Sequence, residues 1–356
     1  DFAQAFAAPE VVITRATRIE GTPTVPSRWL LRLEALQAAY GAKDLLTPDP
    51  SWVQWAKQLD DPGPPRPCAP PAPSPPAAAR PTRLSVTAVE TWMRDPYDLY
   101  ARYVLRLRAM DPLDQDPGAA EHGTLIHAVL EAFAREADTH GLPDDVAAAL
   151  RRIGTQKFDD LKVRPGMRAF WWPRFERIAD WLAERERTRR ADGRRVLAEQ
   201  GGEMQVEGRD ASLTLTAKAD RIEVLPDGAL AVIDYKTGTP PTEKQVTLGF
   251  APQLPLEAAI AAHAGFKDVP AAGARELAYW RLTGGREAGQ ELALKKTDPD
   301  DLAAAALDGL SALIDKFADP AQPYHARPRP GFAPRYTDYD HLARVQEWSA
   351  GIGGED

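Results

Sequence analysis

Apolar positions fall into two regimes along the chain. Up to about residue 200 they recur every three or four residues, the spacing of one helix face. Ser27–Ala39 carries Leu30, Leu31, Leu33, Leu36 and Ala39 at that period. Thr87-Ala88-Val89-Glu90 has the order of a capping box and leads into Trp92 and Met93. Further helices are predicted over Tyr97–Leu107, from Gly123 to about Asp138, and over 143–162 and 168–190, the last carrying Trp171, Trp172, Phe175 and Trp181. From about Glu203 the period shortens to two. Met204–Val206, Leu213–Val224 and Leu230–Tyr235 then read as strands. Helical patterns at 251–263 and 299–317 flank another strand, Glu276–Leu282, and Val11–Thr14 reads as a strand near the N-terminus. The pattern predicts helices around a small central sheet, an α/β or α+β arrangement.

Proline usage divides this pattern. Ten of the 33 prolines lie in PGPPRPCAPPAPSPPAAARP, residues 62–81. Such a stretch lacks amide donors and favours an extended spacer. The division expected is residues 1–61, a linker at 62–82, and a body at 83–356. One strand and two or so helices are too little to bury a core in the first piece. The chain opens at Asp1 in mid-pattern, as a piece of a longer protein does. A single cysteine, Cys68, excludes an internal disulfide and any four-cysteine metal centre. No apolar run approaches the roughly 20 residues of a spanning helix, and no signal-like segment opens the chain, so a cytoplasmic setting is expected. The net charge of −8 argues against a uniformly basic nucleic-acid surface but not against a local site.

Local chemistry concentrates in Lys218-Ala219-Asp220-Arg221 and Asp234-Tyr235-Lys236-Thr237-Gly238, two strand ends joined through the turn triplet Pro226-Asp227-Gly228. With Leu225 facing Ala229, counting outward brings Asp220 opposite Asp234 and Lys218 opposite Lys236. Two carboxylates about 5 Å apart repel. A hard divalent cation relieves that repulsion, and a neighbouring lysine can orient water and neutralise a phosphate. Spacing alone equally allows a surface hairpin with two salt bridges, Lys218–Asp234 and Asp220–Lys236.

A wider order decides between them. GTLIHAVLE (123–131), ADRIE (219–223), VIDYKTG (232–238) and QLPLEAA (253–259) together resemble the RecB-type nuclease domains of the PD-(D/E)XK superfamily. VVITRATRIEGTPTVPSRWLLRLEAL (11–36) and YDHLARVQEWS (339–349) extend the resemblance to AddB-type subunits of bacterial helicase–nucleases, with residues 1–61 similar to the end of a helicase-like domain. The resemblance implies a restriction-endonuclease-like core, a small mixed sheet flanked by helices, with additional helices. It implies Mg²⁺, with Mn²⁺ as a substitute, held by His127, Asp220, Asp234 and the Tyr235 carbonyl. It gives the catalytic role to Asp220, Asp234 and Lys236, and auxiliary or DNA-positioning roles to Gln253 and Lys218. Water oriented by Lys236 would attack a phosphodiester and leave 5′-phosphate and 3′-hydroxyl ends. The implied partners are DNA and an AddA helicase–nuclease subunit, and the implied process is repair of double-strand breaks by recombination.

The chain departs from the resemblance at two places. Glu257 stands where a tyrosine is common. Asp95 precedes Pro96-Tyr97 where many relatives place the first of four iron–sulfur cysteines, and Pro320–Tyr339 has none, so packing by Tyr97, Tyr100, Tyr324 and Tyr336 is expected instead of a cluster. Arginines at 185–195 and at 327, 329 and 335, and the Trp171-Trp172 pair, are secondary candidates for nucleic-acid contact, each matched by an ordinary reading as solvated face or core. No G-x-x-x-x-G-K-[ST] loop is present, so the chain is not a complete ATPase motor. Two rival readings stay open: a DNA-binding scaffold with a decayed site, and a stand-alone RecB-like exonuclease.

Overall fold

The computed structural model describes residues 1–349 other than 43–45, 47, 48, 62, 65–67, 111, 112, 114–117, 335 and 336. It contains two units, Asp1–Pro67 and Cys68–Asp356. The first holds α1 (Phe2–Phe6), the two-residue strands β1 (Arg18–Ile19) and β2 (Thr22–Pro23), α2 (Arg28–Tyr40) and α3 (Pro50–Asp60). Helix α2 starts as its pattern predicts, with Ser27 Oγ accepting from the Leu30 N–H at 3.3 Å. Val11–Thr14 is not a strand: β-branched content alone does not make one without a partner, and these residues are exposed and unpaired.

The second unit runs β3 (Arg83–Ser85), α4 (Val86–Arg94), α5 (Pro96–Leu99), α6 (Ala119–His140), α7 (Val146–Asp160), α8 (Pro165–Arg190), β4 (Arg195–Glu207), β5 (Ser212–Val224), β6 (Leu230–Lys236), α9 (Glu243–Thr247), α10 (Gln253–Ala262), β7 (Ala274–Leu282), β8 (Gly289–Ala293), α11 (Pro299–Ala318) and α12 (Val345–Ser349). Two expectations shift locally. Helix α4 is capped by Ser85, whose Oγ accepts from the Ala88 N–H at 3.1 Å, not by Thr87. The helix expected over Tyr97–Leu107 breaks into α5 and a π-helical turn, Tyr100–Val104.

Six strands form one mixed sheet in the order β3-β5-β6-β7-β8, with β4 also paired to β5. The β5–β6 hairpin sets its centre. Gly228 supplies the positive φ of the turn (+87°), and the Leu225 N–H donates to the Ala229 carbonyl at 2.8 Å. The rungs run from Val224↔Leu230 to Arg221↔Ile233, the register the turn predicts.

Alternation along β6 and β7 gives the sheet two apolar faces. Ile233, Tyr235, Ala278 and Trp280 pack beneath α6, α7 and α8. Val232, Leu277 and Tyr279 pack with residues of α10 and α11 on the other side, and Ile222 joins α4, α10 and α11 there. The result is an α/β fold with a mixed sheet between helical layers.

Part of the basic run at the end of α8 is absorbed into this core. Arg189 bonds Glu223, Glu276 and Glu291 at 2.9, 2.9 and 2.8 Å. Buried Arg221 pairs with Glu186 and Glu223 and lies over the Trp280 ring. Arg190 and Arg194 are paired as well. Charges this enclosed persist because each is compensated, so Arg189, Arg190 and Arg194 belong to a structural network, while Arg187 and Arg195 stay exposed. Trp171 is likewise buried, and Trp172 packs against Phe158 and Phe175.

From Cys68 onward the proline-rich stretch packs with the second unit. The Tyr324 and Ala326 N–H groups donate to the carbonyls of Pro73 and Pro71 at 2.8 and 3.0 Å. Proline lacks a donor but keeps its acceptor. Arg80 donates to the carbonyls of Phe317, Asp319 and Pro320. Tyr97, Tyr100 and Tyr324 form a chain of ring contacts at 5.8 and 6.1 Å. Tyr336 and Arg335 lie outside the described residues.

Candidate active site

Backbone pairing between β5 and β6 stops at Arg221↔Ile233, one rung short of the two aspartates. Asp220 fills the gap with its side chain, Oδ2 accepting from the Tyr235 N–H at 2.8 Å. His127 of α6 reaches the same place. Its Nδ1 lies 3.2 Å from Asp220 Oδ1, and its Nε2 lies 3.1 Å from the Tyr235 carbonyl oxygen. The ring stands edge-on to Tyr235 at 5.7 Å.

Asp234, 2% exposed, meets Lys236 Nζ at 2.9 Å through Oδ2. Gln253, the first residue of α10, donates from Nε2 to Asp234 Oδ1 at 2.6 Å and accepts from Lys236 Nζ at 3.2 Å. All the residues singled out in the motifs are therefore assembled at one end of the β5–β6 hairpin. The two salt bridges of the alternative hairpin reading do not form: Lys236 pairs with Asp234, and Lys218 pairs with Glu199.

Of two further members, Glu199 carries no motif, and Glu257 entered the motifs only as a departure from the resemblance. Glu199 lies in β4 between the rungs Ala198↔Arg221 and Gln200↔Ala219, which sets it across from Asp220. Its φ of +53° breaks the alternation that would have marked it. Glu257 lies one turn beyond Gln253 on α10, 1% exposed, with Oε1 accepting from Gln253 Nε2 at 3.2 Å and Oε2 buried without a partner. Glu257 sits in an apolar helical run, and a lone acid there carries no sequence signal of its own.

The electrostatics follow from enclosure and crowding. Burial, with the charge of Asp220, raises the Asp234 carboxyl to about 6 against the opposing pull of Lys236. Burial would lower Lys236, but Asp234 outweighs it and its pKa is raised, so the ammonium is held charged. Burial would likewise lower His127, yet its hydrogen bond to Asp220 and the surrounding acids raise it. Glu199 is raised by burial and by Asp220, against Lys218. Burial first, then Asp234 and Asp220, push Glu257 well above the carboxylate range. An acidic group is raised where negative charge is crowded and desolvated, the environment a cation would relieve.

One ligand atom each from His127, Glu199 and Asp220 fit within 4.8 Å of one another. One imidazole and two carboxylates are a donor set for a divalent ion. These residues line a cavity of ≈ 540 Å³ with Gly123, Glu131, Lys218 and Lys236. A larger cavity of ≈ 1100 Å³ lies at the far end of the hairpin, beside Pro226 and Asp227 and among the ion pairs of Arg189 and Arg194.

A mixed sheet between helical layers, with acids and a lysine at the open end of its central hairpin, defines a nuclease core of the D-x-K type. The chain belongs to the PD-(D/E)XK nuclease superfamily, which matches residues 83–332. Among relatives, an uncharacterized protein of Rickettsia conorii is 29% identical over 72% of this chain and 30% of its own length. Another, of Rickettsia bellii, is 31% identical over 52% of this chain and 22% of its own. A subunit of the ATP-dependent helicase/deoxyribonuclease of Streptococcus agalactiae is 26% identical over 49% of this chain and 16% of its own. The chain thus matches under a third of the length of these relatives. The crystal structure of SSO0001 aligns over 65% of this chain and 76% of its own at 12% identity and a TM-score of 0.27, which adds nothing to the assignment. Among the described residues no helix is long and apolar enough to cross a membrane.

Proposed function

We propose that residues 83–356 are the Mg²⁺-dependent DNA-cleaving domain of an AddB-type helicase–nuclease subunit that processes double-strand breaks, with residues 1–61 the end of its helicase-like part and an AddA-type subunit as partner. The observation that carries the reading is the convergence of His127, Glu199 and Asp220 beside the Asp234–Lys236–Gln253 cluster. The superfamily match supports a nuclease, and the similarity to a helicase/deoxyribonuclease subunit supports the parent assembly.

His127, Glu199, Asp220, Asp234 and the Tyr235 carbonyl would hold the metal. When bound, a divalent ion lowers the pKa of water and neutralises charge on a phosphate. Lys236 does not serve as a base, because Asp234 holds it protonated. As a fixed cation it orients the attacking water and balances the charge that grows on the phosphoryl oxygens. Gln253 fixes the lysine's direction from one end of its amide and Asp234 from the other. Breakage of the P–O3′ bond then leaves a 5′-phosphate and a 3′-hydroxyl.

The test is cleavage of labelled single- and double-stranded DNA with Mg²⁺ or Mn²⁺, comparing the chain with its Lys236→Ala and Asp234→Ala variants. Cleavage lost in both variants, with DNA still bound, is the expected result. A chain that binds DNA and metal but never cuts, even with its partner subunit added, is a scaffold, and the nuclease reading fails.

A further inference from the structure

The segment after α5 holds three arginines in nine residues, Tyr100-Ala101-Arg102-Tyr103-Val104-Leu105-Arg106-Leu107-Arg108. Among the described residues, Arg102, Tyr103, Arg106 and Arg108 line a cavity of ≈ 450 Å³. Most other arginines of the second unit are committed to carboxylates or carbonyls, as described for α8 and for Arg80. These three have no ion pair or side-chain hydrogen bond among the described residues. Three guanidinium groups around one hollow, unpaired among the described residues, repel each other and leave it strongly positive in a chain of net charge −8.

The frame that carries them is rigid. The Leu105 N–H donates to the Tyr100 carbonyl and the Leu107 N–H to the Ala101 carbonyl, each at 3.0 Å. Tyr339, from the tail, donates its hydroxyl to the Leu107 carbonyl at 2.8 Å. Between these tethers Arg106 takes a left-handed backbone, φ +57°, a conformation that costs energy for a side chain of this kind. The π-helical turn at Tyr100–Val104 is itself a geometry concentrated at functional places.

The chain enters the hollow from a helix that borders the active site. Glu90 of α4 feels the charge of Lys236. The chain breaks at the extended residue Asp95 between α4 and α5, so the path from Glu90 to Arg102 limits their separation to roughly 22 Å at most. One strand of a duplex covers that upper limit in roughly six nucleotides at 3.4 Å each.

We propose that Arg102, Arg106 and Arg108 form a phosphate-binding cleft that grips the nucleic-acid backbone a few nucleotides from the cleavage point. This rests on the nuclease reading above. Guanidinium forks match phosphate oxygens bidentately, and such contacts carry no base information. The cleft therefore holds a strand in register without choosing a sequence.

The test uses the whole chain. In an Asp234→Ala background, anisotropy of labelled oligonucleotides is followed against salt, with and without the triple change Arg102→Ala, Arg106→Ala, Arg108→Ala. The expected loss is tenfold or more in affinity at low salt. The slope of log affinity against log salt should fall by about 2 to 3, at roughly 0.7–0.9 per phosphate contact. The triple lysine variant should recover most of the slope. In the Asp234-intact chain, the triple alanine variant should raise KM for an oligonucleotide and leave hydrolysis of a small nitrophenyl phosphodiester unchanged. An unaltered slope in a variant that melts normally overturns the cleft while the nuclease stands. A mononucleotide or inorganic phosphate that binds as tightly as the oligonucleotide overturns it too, in favour of a small-phosphate site. If the parent chain binds no DNA at all, both readings fall.

Discussion

The side-chain amide of Gln253 donates to Asp234 Oδ1 at 2.6 Å while its oxygen accepts from the lysine that Asp234 also holds. One neutral group thus fixes both ends of an ion pair. Gln253→Ala should free Lys236 to swing between solvent and Asp234. Misplacement on the scale of 1 Å costs about 10²-fold in rate. A fall of ten- to a hundred-fold in single-turnover cleavage, with DNA affinity kept, is expected. An unchanged rate would mean that the amide only packs.

Glu257 is a buried acid whose carboxyl is pushed far up by burial and by two nearby aspartates. The folded protein therefore keeps a proton there that the unfolded chain gives up above about pH 4, so this group's contribution to stability declines as pH rises from there. Glu257→Gln has the shape and charge of the protonated acid. It should match or exceed the parent in melting temperature at pH 8. Glu257→Ala should cost on the order of 1–3 kcal/mol, because the Gln253 amide loses a buried partner. Chemical denaturation of the three proteins compares them directly.

Metal affinity should rise with pH between about 6 and 8. His127 is raised above its usual value and Asp234 to about 6, so the free site carries protons in this range that a cation must displace. Calorimetric titration with Mn²⁺ in buffers of different ionisation enthalpy would show proton release. A pH-independent affinity with no released proton would remove His127 and Asp234 from the ligand set. Glu199→Gln should weaken binding at every pH, since its charge faces the same donors.

A second pH effect belongs to the tail. Burial, then the charge of Asp95, raises the Asp98 carboxyl to about 7. Its Oδ1 accepts from Thr337 Oγ1 at 3.1 Å, with Arg327 and Asp340 alongside. The folded state binds the extra proton, so stability from this group is present at low pH and lost between about 4 and 7. Asp98→Asn keeps the acceptor and removes the titration. Its melting temperature should change less between pH 5.5 and pH 8 than that of the parent. Identical slopes would show that Asp98 stays ionised throughout.

Legibility in the sequence followed the distance over which each feature is encoded. The hairpin register is a local consequence of Pro226-Asp227-Gly228, and four rungs follow it. The residues it carries, and the motif residues on α6 and α10, meet as their order implied. Glu199 depends on a left-handed residue in the neighbouring strand, which alternation cannot reveal. Strands β3 and β8 are short and poor in β-branched residues, and β4 is interrupted by Gly201-Gly202, so their pairing is set by the rest of the sheet. The basic run of α8 looked available for phosphate because its partners, Glu223, Glu276 and Glu291, are remote in sequence. The arginines at 102–108 are conspicuous only once the arginines of α8 and Arg80 have been matched to their partners.

Pro71 and Pro73 are tied to Ala326 and Tyr324 before the chain reaches its first strand in the sheet, and Arg80 is tied to three carbonyls at and just beyond the end of α11. Traction arriving along the polypeptide from residues 1–67 meets these ties first. These ties bind the entering chain to the segment around the end of α11 ahead of β3 and the hairpin behind it.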